Sequence, residues 1–206
     1  MILIGQYDSP FVRRVGIALR LYGLPFEHRP WSVFGDAEAI RALNPLMRVP
    51  TLVLDGGLVL TDSHMMLDHL DGLAETPLFP RAGLERARAL RRAALACDAA
   101  EKAVSLFYER RLHSEPSDLW DARCRLQIGS VLDALEAEAD AEGSGPFWGE
   151  TLGHDDIALA CAIRFIRDAH PAVFDPALWP RLTARAAGME ALAVFRAIAQ
   201  PFVPPA

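Results

Sequence analysis

Two short stretches carry residue types that can hold and activate a small ligand. The first is Met47-Arg48-Val49-Pro50-Thr51-Leu52-Val53-Leu54. Its β-branched and aliphatic residues from Thr51 onward predict a strand, closed by the turn residues Asp55-Gly56-Gly57. Pro50, at the first strand position, donates no N–H to a neighbouring strand, and the residue before a proline is driven into an extended conformation. Val49 therefore presents its N–H and C=O sideways, open to the backbone of a ligand. A second strand, Leu58-Val59-Leu60, follows, and then Thr61-Asp62-Ser63-His64 opens an apolar-periodic helix, all within a small ligand's reach of Val49. The second stretch is Ser9-Pro10-Phe11. Serine as N-cap and proline as the first helical residue mark a helix start, which sets a hydroxyl beside the backbone N–H groups of a helix N-terminus.

Other chemistries lack their constellations. His64 and His69 are five residues apart, not the four that puts two ligands on one helix face, and the remaining histidines have no spaced partners, so no metal site is expected. Asp155-Asp156 is better explained by helix capping and dipole complementarity. Cys97, Cys124 and Cys161 are odd in number, widely spaced and set in helical contexts, which suits reduced thiols in a cytoplasmic protein. There is no P-loop and no Rossmann glycine fingerprint. With a net charge of −6, nothing favours nucleic acid or an anionic membrane. The basic pairs Arg13-Arg14, Arg91-Arg92 and Arg110-Arg111 suit ordinary helix faces. No apolar run reaches the ~20 residues of a membrane-spanning helix, and Met1-Ile2-Leu3-Ile4 enters a strand without the charged start of a signal peptide.

The elements that must position these residues follow in order. Ile2 to Ile4 reads as a central strand. The helix from Ser9-Pro10 runs to Tyr22, burying Val12, Val15 and Leu19, with Ile17 and Leu21 widening the face, and Gly23 stops it. Phe26 to Pro30 is a second strand, Trp31 to Leu43 loop and short helix, and Asn44-Pro45 a turn into the Val49-Pro50 element. A helix from Asp62 to Gly72 buries Met66, Leu67, Leu70 and Leu73. Two prolines in Glu75-Thr76-Pro77-Leu78-Phe79-Pro80 mark a domain boundary. Beyond it only helices are expected: Leu84 to Leu112; Pro116 to Ala141, ended by Gly143-Ser144-Gly145-Pro146; His154 to Ala169, apolar nearly all round and hence central; and two or three short ones before an extended tail from Pro201. Asp156, three residues after Gly153, is placed to complete one half of a capping box.

Val49-Pro50-Thr51-Leu52, a hairpin and Asp62-Ser63, with Ser9-Pro10-Phe11-Val12-Arg13-Arg14-Val15 upstream, resemble the glutathione site of the cytosolic glutathione S-transferases, in particular their serine-using (theta-, tau- and zeta-like) branches. The resemblance implies a thioredoxin-like α/β domain over residues 1–75 with Pro50 in the cis form, a linker at 76–83 and an all-helical bundle domain over 84–206. It also implies that Val49 pairs with the cysteinyl backbone of glutathione, while Asp62 and Ser63 hold its γ-glutamyl end. Arg48 is placed to meet the glycyl carboxylate, with a solvated surface arginine as the equal alternative. Thr51 reads equally as a plain strand residue. An electrophile pocket is expected between the domains, with Phe11 as one wall and Phe107, Tyr108 and Arg111 as candidates for the other. A cytoplasmic homodimer engaged in detoxification is the expectation by resemblance. The departures are Asp62, where the family more often has Glu, and Gly153, where Ser or Thr is usual.

The chemistry implied is attack by a thiolate. A thiol of pKa ~8.5 is only about 3% ionised at pH 7, and the thiolate is the nucleophile. Lowering that pKa by ~2 units takes ~2.7 kcal/mol. A hydrogen bond to a charged acceptor supplies ~1.5–3 kcal/mol, and a helix N-terminus ~0.3–1, up to ~2 when partly buried. Ser9 offers both. Tyr7 is the competing donor, since part of the family uses a tyrosine just after the first strand. No cysteine stands near this helix start, which counts against the cysteine-using relatives. Two other readings share the scaffold: a glutathione-dependent cis–trans isomerase of the maleylacetoacetate type, whose Ser/Cys-rich run is missing here, and a non-catalytic glutathione-binding or regulatory protein.

Overall fold

The computed structural model describes residues 1–142 and 145–204. Four short strands form one mixed sheet: β1 (Ile2–Ile4), β2 (Glu27–Arg29), β3 (Thr51–Val53) and β4 (Val59–Thr61), in the order β2-β1-β3-β4. β1 is parallel to β2 and antiparallel to β3, and β3 is antiparallel to β4. The parallel pair is joined through α1 (Pro10–Leu21), since parallel strands need a crossover, usually a helix. β3 and β4 are joined by the tight Asp55-Gly56-Gly57 turn, with Gly57 at φ +80°. A short α2 (Ala37–Arg41) precedes β3, and α3 (Ser63–Leu73) follows β4. This is the thioredoxin-like arrangement. Leu3, Val12, Val15, Leu19, Leu52, Met66, Leu67 and Leu70 make its core.

The chain divides into two compact units. The first is Met1–Leu78 together with the chain from Leu192 onward, and the second is Phe79–Ala191. The last residues, expected within the helical domain, pack instead with the first unit. The reason lies in Arg13, which is 2% exposed. Its Nε donates to the carbonyl of Ile198 at 2.8 Å and its Nη2 to that of Phe195 at 3.0 Å.

The second unit is helical: α4 (Gly83–Leu112), α5 (Asp118–Glu142), α6 (His154–Ala169) and α7 (Pro180–Glu190); α8 (Ala193–Ala197) already belongs with the first unit. Of the segment expected to end α5, Gly143 and Ser144 lie outside the described residues. α6 is buried along nearly its whole length. Asp156 caps it by accepting from the backbone N–H of Gly153 at 2.9 Å and of Trp148 at 3.0 Å. Glycine has no side chain for the reciprocal half of the box. Two guanidinium groups lie over the Trp148 ring, Arg92 at 4.9 Å and Arg185 at 4.2 Å from its centroid.

Four expectations about faces are corrected. Leu21 and Leu73 are exposed, at 39% and 58%, each as the last residue of its helix. Arg13-Arg14 is not a solvated pair: both are buried, because α1 is covered on two sides, by α3 and by the C-terminal segment. Arg92 is also buried, where its Nε meets Asp155 Oδ2 at 2.7 Å. All three cysteines are buried, and among the described residues none forms a disulfide.

Candidate functional site

The sheet register gathers the candidate residues. Ile4 pairs with Thr51, and Thr51 pairs with Thr61, so one rung crosses three adjacent strands. Strands lie about 4.8 Å apart, so whatever leaves that rung on the same side starts within about 10 Å. β1 exits into Gly5–Ser9, the Val49-Pro50 peptide enters β3, and β4 exits into Asp62-Ser63. Segments far apart in the sequence thus meet at one end of the sheet.

Gly5 makes the meeting tight. Its φ is +127°, and a Cβ built there would lie 2.5 Å from Val12 Cγ2 and 2.8 Å from Val49 Cβ. Only glycine tolerates both the dihedral and the approach. It brings the first turn of α1 against the Val49-Pro50 peptide, which is cis. Among the described residues, the N–H and C=O of Val49 take no hydrogen-bond partner. Asn44 holds the preceding loop: its Nδ2 donates to the Arg48 carbonyl at 2.9 Å and to Thr51 Oγ1 at 3.2 Å, and its Oδ1 accepts from Leu46 N at 3.0 Å. Thr51 Oγ1 donates to the same carbonyl at 3.0 Å. Thr51 is therefore more than a strand residue. The Arg48 side chain is exposed while its carbonyl is the loop's internal anchor.

Ser9 is the N-cap of α1, and its Oγ accepts from Val12 N at 3.4 Å. Its hydroxyl proton is not used by that bond. Tyr7, two residues earlier, is occupied differently. Its ring stacks on His28 with centroids 3.8 Å apart and 11° between planes, and its edge packs against Gly16 of α1. Burial raises the phenol's pKa above its ordinary value, partly opposed by Arg20, which makes it a weaker proton donor. Phe11, in the first turn of α1, is half-buried.

Asp62 caps α3 from a backbone at φ +68°, its Oδ1 accepting from His64 N at 2.8 Å and Met65 N at 3.4 Å. Ser63 begins the helix and is 4% exposed; its Oγ accepts from Arg14 Nη1 at 3.3 Å. Arg14 is 1% exposed. The site thus has a buried cation behind the serine at a helix N-terminus, a setting that favours anions. Phe107, Tyr108 and Arg111 lie on the C-terminal half of α4, in the second unit. The rings of Phe107 and Tyr108 are 6.1 Å apart, and Phe107 meets His170 edge-on at 6.3 Å. Among the described residues, no group of three or more His, Cys, Asp or Glu side chains is placed to hold a metal ion.

Gly5, Asn44 and Arg14 support the site by contacts that the motifs do not mark. Gly5 had a usable signal, a glycine directly after a strand and shortly before a helix start. Arg14 had none, since its partner is 49 residues away.

Known proteins resemble this chain in sequence and fold. Residues 3–78 match the family model for the glutathione S-transferase N-terminal domain. Glutathione S-transferase U4 of Arabidopsis thaliana is 34% identical over 173 residues, covering 79% of this chain and 70% of that protein. A glutathione transferase family member from Pseudomonas fluorescens Pf-5, solved with bound glutathione, superposes with a TM-score of 0.87 at 31% identity over 98% of this chain and 99% of its own. Maleyl pyruvate isomerase, described as a bacterial glutathione S-transferase in Zeta class, superposes with a TM-score of 0.83 at 28% identity, over 97% and 96% of the two chains. The chain belongs to the glutathione S-transferase family.

Proposed function

We propose that this protein binds glutathione at the sheet end defined by Ile4, Thr51 and Thr61 and adds its thiolate to a small hydrophobic electrophile. The observation that carries the reading is the shared rung, which sets a serine N-cap, an unpartnered backbone edge and a second helix N-terminus side by side. In this reading the N–H and C=O of Val49 pair with the cysteinyl residue, as Pro50 directs them. Ser63, backed by Arg14, takes the γ-glutamyl carboxylate, and Asp62 the α-ammonium group. Arg48, exposed beside Val49, takes the glycyl carboxylate. Ser9 donates its O–H to the sulfur and stabilises the thiolate. The stacking of Tyr7 on His28 and the N-cap position of Ser9 favour Ser9 over it. Electrophile recognition is assigned to Phe11, in the first turn of α1. A cytoplasmic homodimer completes the proposal, by family likeness alone.

A second reading is glutathione-dependent cis–trans isomerisation, favoured by the likeness to maleyl pyruvate isomerase. Both readings need the same thiolate. Steady-state assay with glutathione and an activated aryl halide, beside a maleyl-type substrate, separates them. Conjugation that falls at least tenfold in Ser9→Ala, a loss of ~1.4 kcal/mol or more, is the expected result. Isomerisation without conjugation moves the assignment to the second reading. Glutathione binding with neither activity makes the protein a binding module.

A further inference from the structure

The β1–α1 loop that carries Ser9 is held from the far end of the chain. The backbone N–H of Tyr7 donates to Gln200 Oε1 at 2.8 Å, across 193 positions of sequence. The next residue, Asp8, accepts from the backbone N–H of Val203 at 3.1 Å through its Oδ2. The segment making these bonds is itself fixed. Arg13 holds the carbonyls of Phe195 and Ile198, its guanidinium sits 5.7 Å over the Phe195 ring, and Ile198 packs at Gly16, where an added Cβ would lie 3.0 Å from it.

We infer that the C-terminal segment 195–203 is a strap that positions the thiolate-stabilising loop, and that Gln200 is its positioning residue. The inference rests on the reading of Ser9 given above and extends it. Gly5, whose N–H donates to the Arg29 carbonyl at 2.9 Å, anchors the start of the loop, and Pro10 fixes its end. Between them, the N–H of Tyr7 has one acceptor, supplied by the strap. The direction of the Ser9 hydroxyl follows from the backbone it stands on, and misplacement by about 1 Å can cost on the order of 10²-fold in rate. A hydrogen bond to the main chain two residues before the donor is the kind of support that pre-organised sites require. Gln200 acts through the loop and does not touch the sulfur.

The test uses two variants of the full chain. Gln200→Met keeps the length of the side chain and removes the acceptor. Gln200→Glu keeps an acceptor for the Tyr7 N–H. Amide hydrogen exchange at Tyr7, Asp8 and Ser9 reports the strap without any ligand, and the pH titration of thiolate absorbance in bound glutathione reports the chemistry. In Gln200→Met, exchange at these three amides rises about tenfold or more. The bound thiol pKa rises by about one unit, and kcat falls while the KM for glutathione holds. Gln200→Glu returns all of these toward wild type. Exchange at the wild-type rate in Gln200→Met overturns the inference. So does faster exchange with an unmoved thiol pKa, or a Gln200→Glu variant no better than Gln200→Met. A wild-type protein that binds glutathione without lowering its thiol pKa contradicts the role of Ser9 instead, and the exchange rates still decide whether Gln200 holds the loop.

Discussion

Ser63 shows how much the direction of one hydrogen bond matters. A hydroxyl has one proton and two lone pairs. Here the buried Arg14 guanidinium occupies a lone pair, so the proton is left for an acceptor outside, which suits a carboxylate. Ser63→Ala should weaken glutathione binding by about ten- to a hundredfold, the ~1.5–3 kcal/mol of a hydrogen bond to a charged group, read by calorimetry. An unchanged affinity removes Ser63 from the site. Asn44 works inward instead. Its amide satisfies two groups of the loop before Val49, the Arg48 carbonyl and the Leu46 N–H, and Thr51 Oγ1 just after it, and Asn44→Ala should cost ~1–3 kcal/mol of stability through those unpaired groups, measured by urea denaturation. At this scale the helix starts at Ser9 and Asp62-Ser63 were legible because helix caps are local in sequence. Asn44 looked like a plain turn residue because its value lies in partners that only the folded loop brings near.

At the scale of elements, the helix starts were legible and the faces less so. Ser9-Pro10 and Asp62-Ser63 open α1 and α3 where capping chemistry puts them. Periodicity marks which residues share a face but not where the covering surface ends, hence the exposed Leu21 and Leu73. Nor does it reveal that a helix is covered on a second side, hence the buried Arg13-Arg14. The contact between β1, α1 and the Val49-Pro50 peptide hangs on Gly5. Gly5→Ala must displace Val12 or Val49 and strain the backbone at φ +127°. We expect a loss of ~1–3 kcal/mol in stability together with weaker glutathione binding, seen in parallel denaturation and binding measurements. A variant that binds as the wild type does would show that the approach is not needed. In the second unit, Asp156→Ala leaves the N–H groups of Gly153 and Trp148 without their acceptor, and should cost ~2–4 kcal/mol for two buried donors.

For the molecule as a whole, the change from a mixed sheet to pure helix was legible as the disappearance of strand patterns after the prolines near Leu78. That the chain from Leu192 returns to the first unit was not, because the bonds that recruit it span more than 180 residues. Stability against pH is also a property of the whole chain. Burial, and next the neighbouring Asp155, raise the Asp156 carboxyl from 3.8 to about 7, against the backbone N–H groups of Gly153 and Trp148 and the Arg185 charge. Between those values the folded state keeps a proton that the unfolded state has lost, so stability falls as pH rises through the window and levels off above it. Burial lowers the pKa of His170, which acts in the opposite sense as pH drops through its ordinary range. The contrast between wild type and Asp156→Asn isolates the first effect. The variant should be less stable overall, yet lack the decline between about pH 4 and 7, as read from denaturant midpoints.

The most direct test of the central claim is the pKa of the glutathione thiol when bound. Thiolate absorbance is titrated with saturating protein, for the wild type and for Ser9→Ala. The account predicts a bound thiol pKa about two units below the free value of ~8.5, returning upward in Ser9→Ala. A pKa unmoved by binding, or one lowered equally in both proteins, contradicts it.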